Sequence, residues 1–127
     1  MHPYKRLLEL ATADPRIRAL ILQGSRANPE ASPDRYSDHD VVVAVADPSD
    51  FRGDTAFFDA LGERIIEQEP WGEPRSRGSY TRLMLFGGGA RIDLTFVRAA
   101  TIAAIAAGEP SQLILDKDGL LPSAAGS

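Results

Sequence analysis

The tract Asp38-His39-Asp40-Val41-Val42-Val43-Ala44-Val45 constrains the fold of this chain more than any other stretch. Its second half is apolar and largely β-branched, which suits a central strand because such side chains pack well on a pleated surface. Its head carries two carboxylates separated by one residue. Side chains along a strand alternate between faces, so Asp38 and Asp40 are expected on one side and His39 on the other. Two carboxylates on one face can hold a hard divalent cation. The pair alone has an equally simple explanation, because Asp is common where strands and turns begin and hydrogen-bonds local backbone N–H groups there.

Two further features accompany it. The nearly continuous apolar run from Arg16 to Gln23 suits a strand buried on both faces. It ends in Gly24-Ser25, where glycine lets backbone approach a phosphate and exposed N–H groups and the Ser25 hydroxyl can bind its oxygens. Downstream, Arg91-Ile92-Asp93-Leu94-Thr95-Phe96 alternates polar and apolar, which predicts a half-buried strand carrying a third carboxylate, Asp93. Three Asp side chains on neighbouring strands can hold two Mg²⁺ ions about 3.5–4 Å apart, the arrangement that clamps the attacking and leaving oxygens of an in-line phosphoryl displacement.

Composition narrows the ligand set. The chain has no cysteine and only His2 and His39, which removes thiol chemistry and a His-rich or Cys-ligated metal site; any metal must be held by oxygen. A net charge of −4 without a basic block argues against a dedicated nucleic-acid binder and suits a cationic small molecule. With 127 residues, one domain with a single modest core is expected. No apolar run reaches the length of a membrane span, and Met1-His2-Pro3-Tyr4-Lys5-Arg6 is not followed by a signal-peptide core, so the expected compartment is the cytoplasm.

Along the chain, Tyr4, Leu7, Leu8 and Ala11 fall at helical spacing and predict an amphipathic helix ending near Asp14-Pro15. Phe51, Phe57, Phe58 and Leu61 fit one face of a helix after the second apolar run. Ile65 to Glu69 reads as a short strand with Glu67 and Glu69 on one face, open to an amine or simply solvated edge charges. Trp71 lies in a Gly/Pro-rich loop as a packing anchor or a stacking platform. Gly87-Gly88-Gly89 reads as a hairpin turn between antiparallel strands. Thr101 is the expected N-cap of an Ala/Ile-rich helix that Gly108 stops. Leu113 to Leu115 forms a last short strand. Asp116-Lys117-Asp118-Gly119 lacks the spacing of a calcium loop and reads as a turn, with Leu120 onward unstructured.

A phosphatase of the haloacid dehalogenase type also carries an Asp-x-Asp pair, but its nucleophile sits at the end of an apolar strand, where doubly wound sheets put their ligands. Here the apolar run follows the pair. The order Gly24-Ser25, Asp38-x-Asp40 and Asp93 instead resembles the nucleotidyltransferase superfamily that includes DNA polymerase β. The finer text is similar to the aminoglycoside 6-adenylyltransferases, also called streptomycin adenylyltransferases, over nearly the whole chain: Leu22 to Pro29, Ser37 to Val42, Gln68-Glu69-Pro70, Leu83 to Phe86, Arg91 to Thr95 and Leu115 to Gly119.

The resemblance implies an α/β nucleotidyltransferase fold, a mixed twisted sheet of four to five strands with helices packed on one face. It implies Mg²⁺-dependent transfer of AMP from ATP to a hydroxyl of a small, aminoglycoside-like molecule, the chemistry of antibiotic resistance. Asp38, Asp40 and Asp93 would be the metal-binding and catalytic residues; Gly24, Ser25 and Arg26 would bind the triphosphate. The family's helical C-terminal domain is absent from this sequence, so residues 1–119 are expected to be the nucleotidyltransferase domain and 120–127 a flexible tail. Three alternatives stay open: a fragment of a longer enzyme, a minimal domain that borrows its acceptor site from a homodimer partner or another chain, and a non-catalytic nucleotide-binding or regulatory module.

Overall fold

A computed structural model of the chain describes residues 3–23, 38–68, 79–87, 89–108 and 111–121, with Asp38 described by its backbone alone. Helix α1 (Pro3–Ala13) opens on a proline, whose missing N–H costs nothing in a first turn, and buries Leu7 and Ala11, one turn apart. Pro15 prevents its continuation, and the chain enters β1 (Ile17–Gln23), buried along almost its whole length. Strand β2 (Asp38–Val45) follows.

The phenylalanines expected on one helix are divided between two elements. Phe51 closes a 3-10 turn over Pro48–Phe51, and Phe57, Phe58 and Leu61 lie on α2 (Thr55–Leu61), whose N-cap Asp54 accepts a 3.1 Å bond from the Phe57 N–H. Gly53, at φ +86°, makes the break between them, a conformation that costs glycine little. Then come β3 (Arg64–Gln68), β4 (Tyr80–Phe86) and β5 (Arg91–Arg98), a short 3-10 turn, α3 (Ile102–Gly108) and β6 (Ser111–Asp116). The β4–β5 connection is the expected hairpin, with Gly89 at φ +92°. Thr101 does not cap α3: its Oγ1 donates 2.8 Å back to the Arg98 carbonyl, because the chain tightens into the 3-10 turn before the helix starts.

The α/β class and mixed sheet hold; among the described residues the sheet has six strands rather than four or five, in the order β3-β4-β5-β2-β1-β6. Both short outer segments join the sheet as strands, β3 pairing with β4 and β6 with β1. Only β2 and β5 run parallel among these neighbours.

Nor do all the helices share one face. Helices α1 and α2 cover a core built on Leu20, Leu22, Val41, Val43, Leu94 and Phe96. On the opposite face α3 packs Ile102 over Ala19, Ala44 and Val97. Small alanines there let a short Ala-rich helix approach the sheet closely. Phe96 is the hub of the larger core, stacked on Phe51 at 4.4 Å between ring centroids and on Tyr80 at 5.9 Å, with Phe57 and Phe58 edge-on.

The Asp-Lys-Asp-Gly turn is a clasp. Asp116 accepts hydrogen bonds from the Leu120 and Leu121 N–H groups at 2.8 and 2.9 Å. Lys117 Nζ donates to the carbonyls of Ala11 and Asp14 at 2.8 and 3.0 Å, satisfying the C-terminal end of α1. Asp118 takes a bidentate pair from Arg18 at 2.7 and 2.8 Å. Leu120 and Leu121 are consequently docked against the α3-side core rather than starting a free tail; residues 122–127 lie outside the described set. Nearby, the Arg16 guanidinium lies 4.2 Å over the Phe51 ring and bonds Asp14 and Asp54 at 2.7 and 2.9 Å.

Two outcomes follow from these ties. Lys117→Met removes two charge-assisted bonds and is expected to lower folding stability by roughly 1–3 kcal/mol in a urea titration. The hydrogen bond from Arg16 holds the Asp14 carboxyl below its ordinary range, so its contribution is present above that range and lost as pH falls through the lowered folded-state value. The stability gap between wild type and Arg16→Gln is therefore expected to be largest near neutrality and to close in acid, read by urea titrations across the acid range.

Candidate functional site

Asp40 and Asp93 are register partners across the parallel β2–β5 pair, each the third residue of its strand. Laterally paired residues share a face, and hydrogen-bonded strands lie about 4.8 Å apart, so the two carboxylates stand side by side. Both residues are half-buried, with Oδ1 of each shielded from solvent. His39 goes to the other face, as alternation requires, and stacks on the Tyr4 ring of α1 at 4.0 Å between centroids.

The carboxylate row continues sideways. Asp40 faces Gln23, the last residue of β1, and Gln23 faces Ser111, the first residue of β6; on the other flank Asp93 faces Leu83 of β4. One layer further along the strands, Thr95 shares a 3.3 Å hydroxyl contact with Thr81. Arg91 lies opposite the Asp38 backbone and forms a 3.6 Å ion pair with Asp93. The site is therefore a strip of polar groups on the sheet face that α3 only partly covers.

Of the residues expected from sequence, Asp40 and Asp93 are brought together. Asp38 heads β2, two positions before Asp40, and its side chain is not described. Gly24, Ser25 and Arg26, together with Glu69 and Trp71, lie outside the described residues. Among the described residues no group of three His, Cys, Asp or Glu side chains is placed to hold a metal. The donor chemistry of the described pair nonetheless fits a hard cation: two carboxylates on adjacent strands, with oxygen donors only.

Glu67 is not available to an amine. It pairs with Arg64 at 3.2 Å and with Arg82, whose guanidinium lies 4.0 Å over the Phe58 ring on the α2 side of the sheet. A shallow depression of about 450 Å³ between α2 and β3 is lined by Asp59, Arg64 and Glu67, which pair with one another. It is a structural edge, remote from the carboxylate row.

Two residues of the row had no role assigned from sequence. Arg91 shares its face with Asp93 by two-residue spacing, a signal that was present. Gln23 is a lone amide closing an apolar run just before Gly24-Ser25, also a legible signal.

Among the described strands the sheet is mixed, and its parallel pair sets two aspartates in register at the same end. The chain belongs to the streptomycin adenylyltransferase family, whose profile matches residues 2–126. It is 35% identical over 119 residues to an aminoglycoside 6-adenylyltransferase of Campylobacter jejuni, covering 91% of this chain and 41% of that protein. To the enzyme of the same name from Bacillus subtilis (strain 168) it is 29% identical over 120 residues, covering 90% of this chain and 42% of the relative. A crystal structure of an aminoglycoside 6-adenyltransferase from Bacillus subtilis shares the fold, with a TM-score of 0.69 at 24% identity over 91% of this chain and 40% of that one. The chain thus spans about two fifths of the length of the relatives it matches. No helix among the described residues is long and apolar enough to cross a membrane.

If the carboxylate pair is a cation site, Mg²⁺ is expected to raise the melting temperature of the wild type, since a ligand that binds only the folded state stabilises it by mass action. Asp93→Asn is expected to abolish most of that rise in a thermal-shift titration, and an equal rise in both proteins would remove the assignment.

Proposed function

We propose that this chain is the nucleotide-transferring domain of an adenylyltransferase, moving AMP from Mg·ATP to a hydroxyl of a small, aminoglycoside-like acceptor with release of pyrophosphate. The observation that carries the reading is the in-register placement of Asp40 and Asp93 on β2 and β5. Family membership supports it, and so do relatives named as aminoglycoside 6-adenylyltransferases.

In this reading Asp38 and Asp40 ligate Mg²⁺, and Asp93 completes the set or takes the acceptor proton as general base. When bound, the divalent cation neutralises triphosphate charge and orients the reacting oxygens. Gly24 and Ser25 bind the β- and γ-phosphates through backbone N–H groups and the hydroxyl, with Arg26 adding a cation. The acceptor hydroxyl oxygen bonds to the α-phosphorus as the bond to the pyrophosphate oxygen breaks. The hydroxyl proton leaves to a base, a role this reading offers to Asp93. The acidic balance of the chain favours a cationic acceptor.

Calorimetric titration with Mg·ATP tests the metal argument. The wild type is expected to bind, and Asp40→Asn to lose at least about tenfold in affinity, equivalent to ~1.4 kcal/mol. Equal affinities would refute it. Incubation with α-labelled ATP and a panel of hydroxyl acceptors then tests for transfer: labelled acceptor identifies the enzyme, and binding without product under every acceptor favours a nucleotide-binding module or a fragment lacking part of its acceptor pocket.

A further inference from the structure

Gln23 is only 1% exposed, although it carries an amide. It ends β1 between two register partners, Asp40 on β2 and Ser111 on β6. Its Nε2 donates 3.3 Å to the Ile105 carbonyl of α3 and 3.2 Å to Ser111 Oγ. A backbone carbonyl can only accept, so the amide cannot be turned over: nitrogen faces α3 and β6. The oxygen takes the other arm of the planar amide, and the register partner of Gln23 on the side away from β6 is Asp40 of β2. That oxygen, Oε1, is buried and has no hydrogen-bond partner among the described residues. Folded proteins rarely leave a buried amide oxygen unused, and such atoms call for a ligand, a water or a strain to account for them.

We infer that Gln23 is a positioning residue of the nucleotide site: Oε1 accepts a hydrogen bond from an O–H donor held beside the cation that Asp40 binds. The inference rests on the metal-dependent nucleotide reading above and adds a residue to it. Mg²⁺ usually keeps several of its waters, and their protons need acceptors in fixed places. An acceptor one strand away from a ligating carboxylate is well situated for this. The two hydrogen bonds from Nε2 hold the amide plane before any ligand arrives, so little side-chain freedom is lost on binding.

The alternative is that Gln23 only ties α3 to the sheet. Gln23→Met separates the two, because it keeps length and flexibility while removing both polar atoms. Calorimetry with Mg²⁺ alone, and with Mg²⁺ and a non-hydrolysable ATP analogue, is expected to show affinity reduced by roughly 10–100-fold, the usual effect of losing an outer-sphere partner. Analogue binding in EDTA is expected to match the wild type, as is the melting temperature in EDTA, where two long bonds lost are offset by an orphaned oxygen removed. A loss already present with Mg²⁺ alone identifies the donor as a metal-bound water; one confined to the Mg²⁺ analogue identifies a nucleotide hydroxyl.

A mere tether gives the opposite pattern, a lower melting temperature with unchanged metal-dependent affinity, and that result overturns the inference. Gln23→Glu is the second variant should the Met form fold poorly. It keeps an acceptor and loses the donor, so metal-dependent affinity is expected to survive, and a loss of about tenfold or more counts against the inference. If the wild type fails to bind the Mg²⁺ analogue, the nucleotide reading falls and this inference with it. If the wild type binds and Asp40→Asn does not, while Gln23→Met binds like the wild type, only the role of Gln23 falls.

Discussion

The parallel ladder between β2 and β5 is the interaction on which the rest of the structure depends. It runs without irregularity from Asp38 opposite Arg91 to Val45 opposite Arg98. The β1–β2, β1–β6 and β3–β4 pairs all shift register along their length. Two parallel strands cannot be joined by a tight turn. Here the connection spends α2, β3 and β4 before returning, so residues more than fifty positions apart meet side by side. A slip of one residue would turn Asp93 into the aromatic core and bring Ile92 or Leu94 to the open face.

What prevents the slip is packing on the far side of the same strands. Phe96, three residues after Asp93 and therefore on the opposite face, sits among Phe51, Phe57, Phe58 and Tyr80. Displacing it would expose one of the larger buried side chains and break several ring contacts at once. Energy stored in the α1/α2-side core thereby fixes the position of a carboxylate on the other face. The alternation of side chains along β5 is the lever that transmits it.

The second face divides into a covered and an uncovered part. Alanines at positions 19 and 44 admit α3, and the Asp116–Asp118 clasp brings Leu121 in beside it. On the same face Gln23 is buried against α3, while Asp40 and Asp93 are half-buried. Gln23 is bonded to α3 through its nitrogen, stands in register with Asp40, and keeps a buried oxygen with no hydrogen-bond partner among the described residues. A single amide thus joins the structural half of this face to the chemical half.

Much of this was legible in the residues. The helix over Tyr4–Ala11, the apolar strand to Gln23, the Val-rich strand after Asp40 and the triple-glycine hairpin all carry local signals, because periodicity and glycine conformation act over a few residues. Asp40 and Asp93 could be singled out as acids at strand positions, and the family text agreed with them. Less legible were the side of the sheet chosen by α3, the pairing of Glu67 with Arg82, the docking of Leu121 and the work of Lys117 on the end of α1. Each of these joins segments far apart in the chain, and nothing in the local pattern of either segment names its partner. By itself, then, the sequence determined which short stretches become strands and helices and which acids stand on strands, since both follow from local sterics and alternation. Only tertiary structure decided which strands become neighbours, and so that two particular carboxylates and one buried amide share a row, because register is set by the long-range fit of the core behind them.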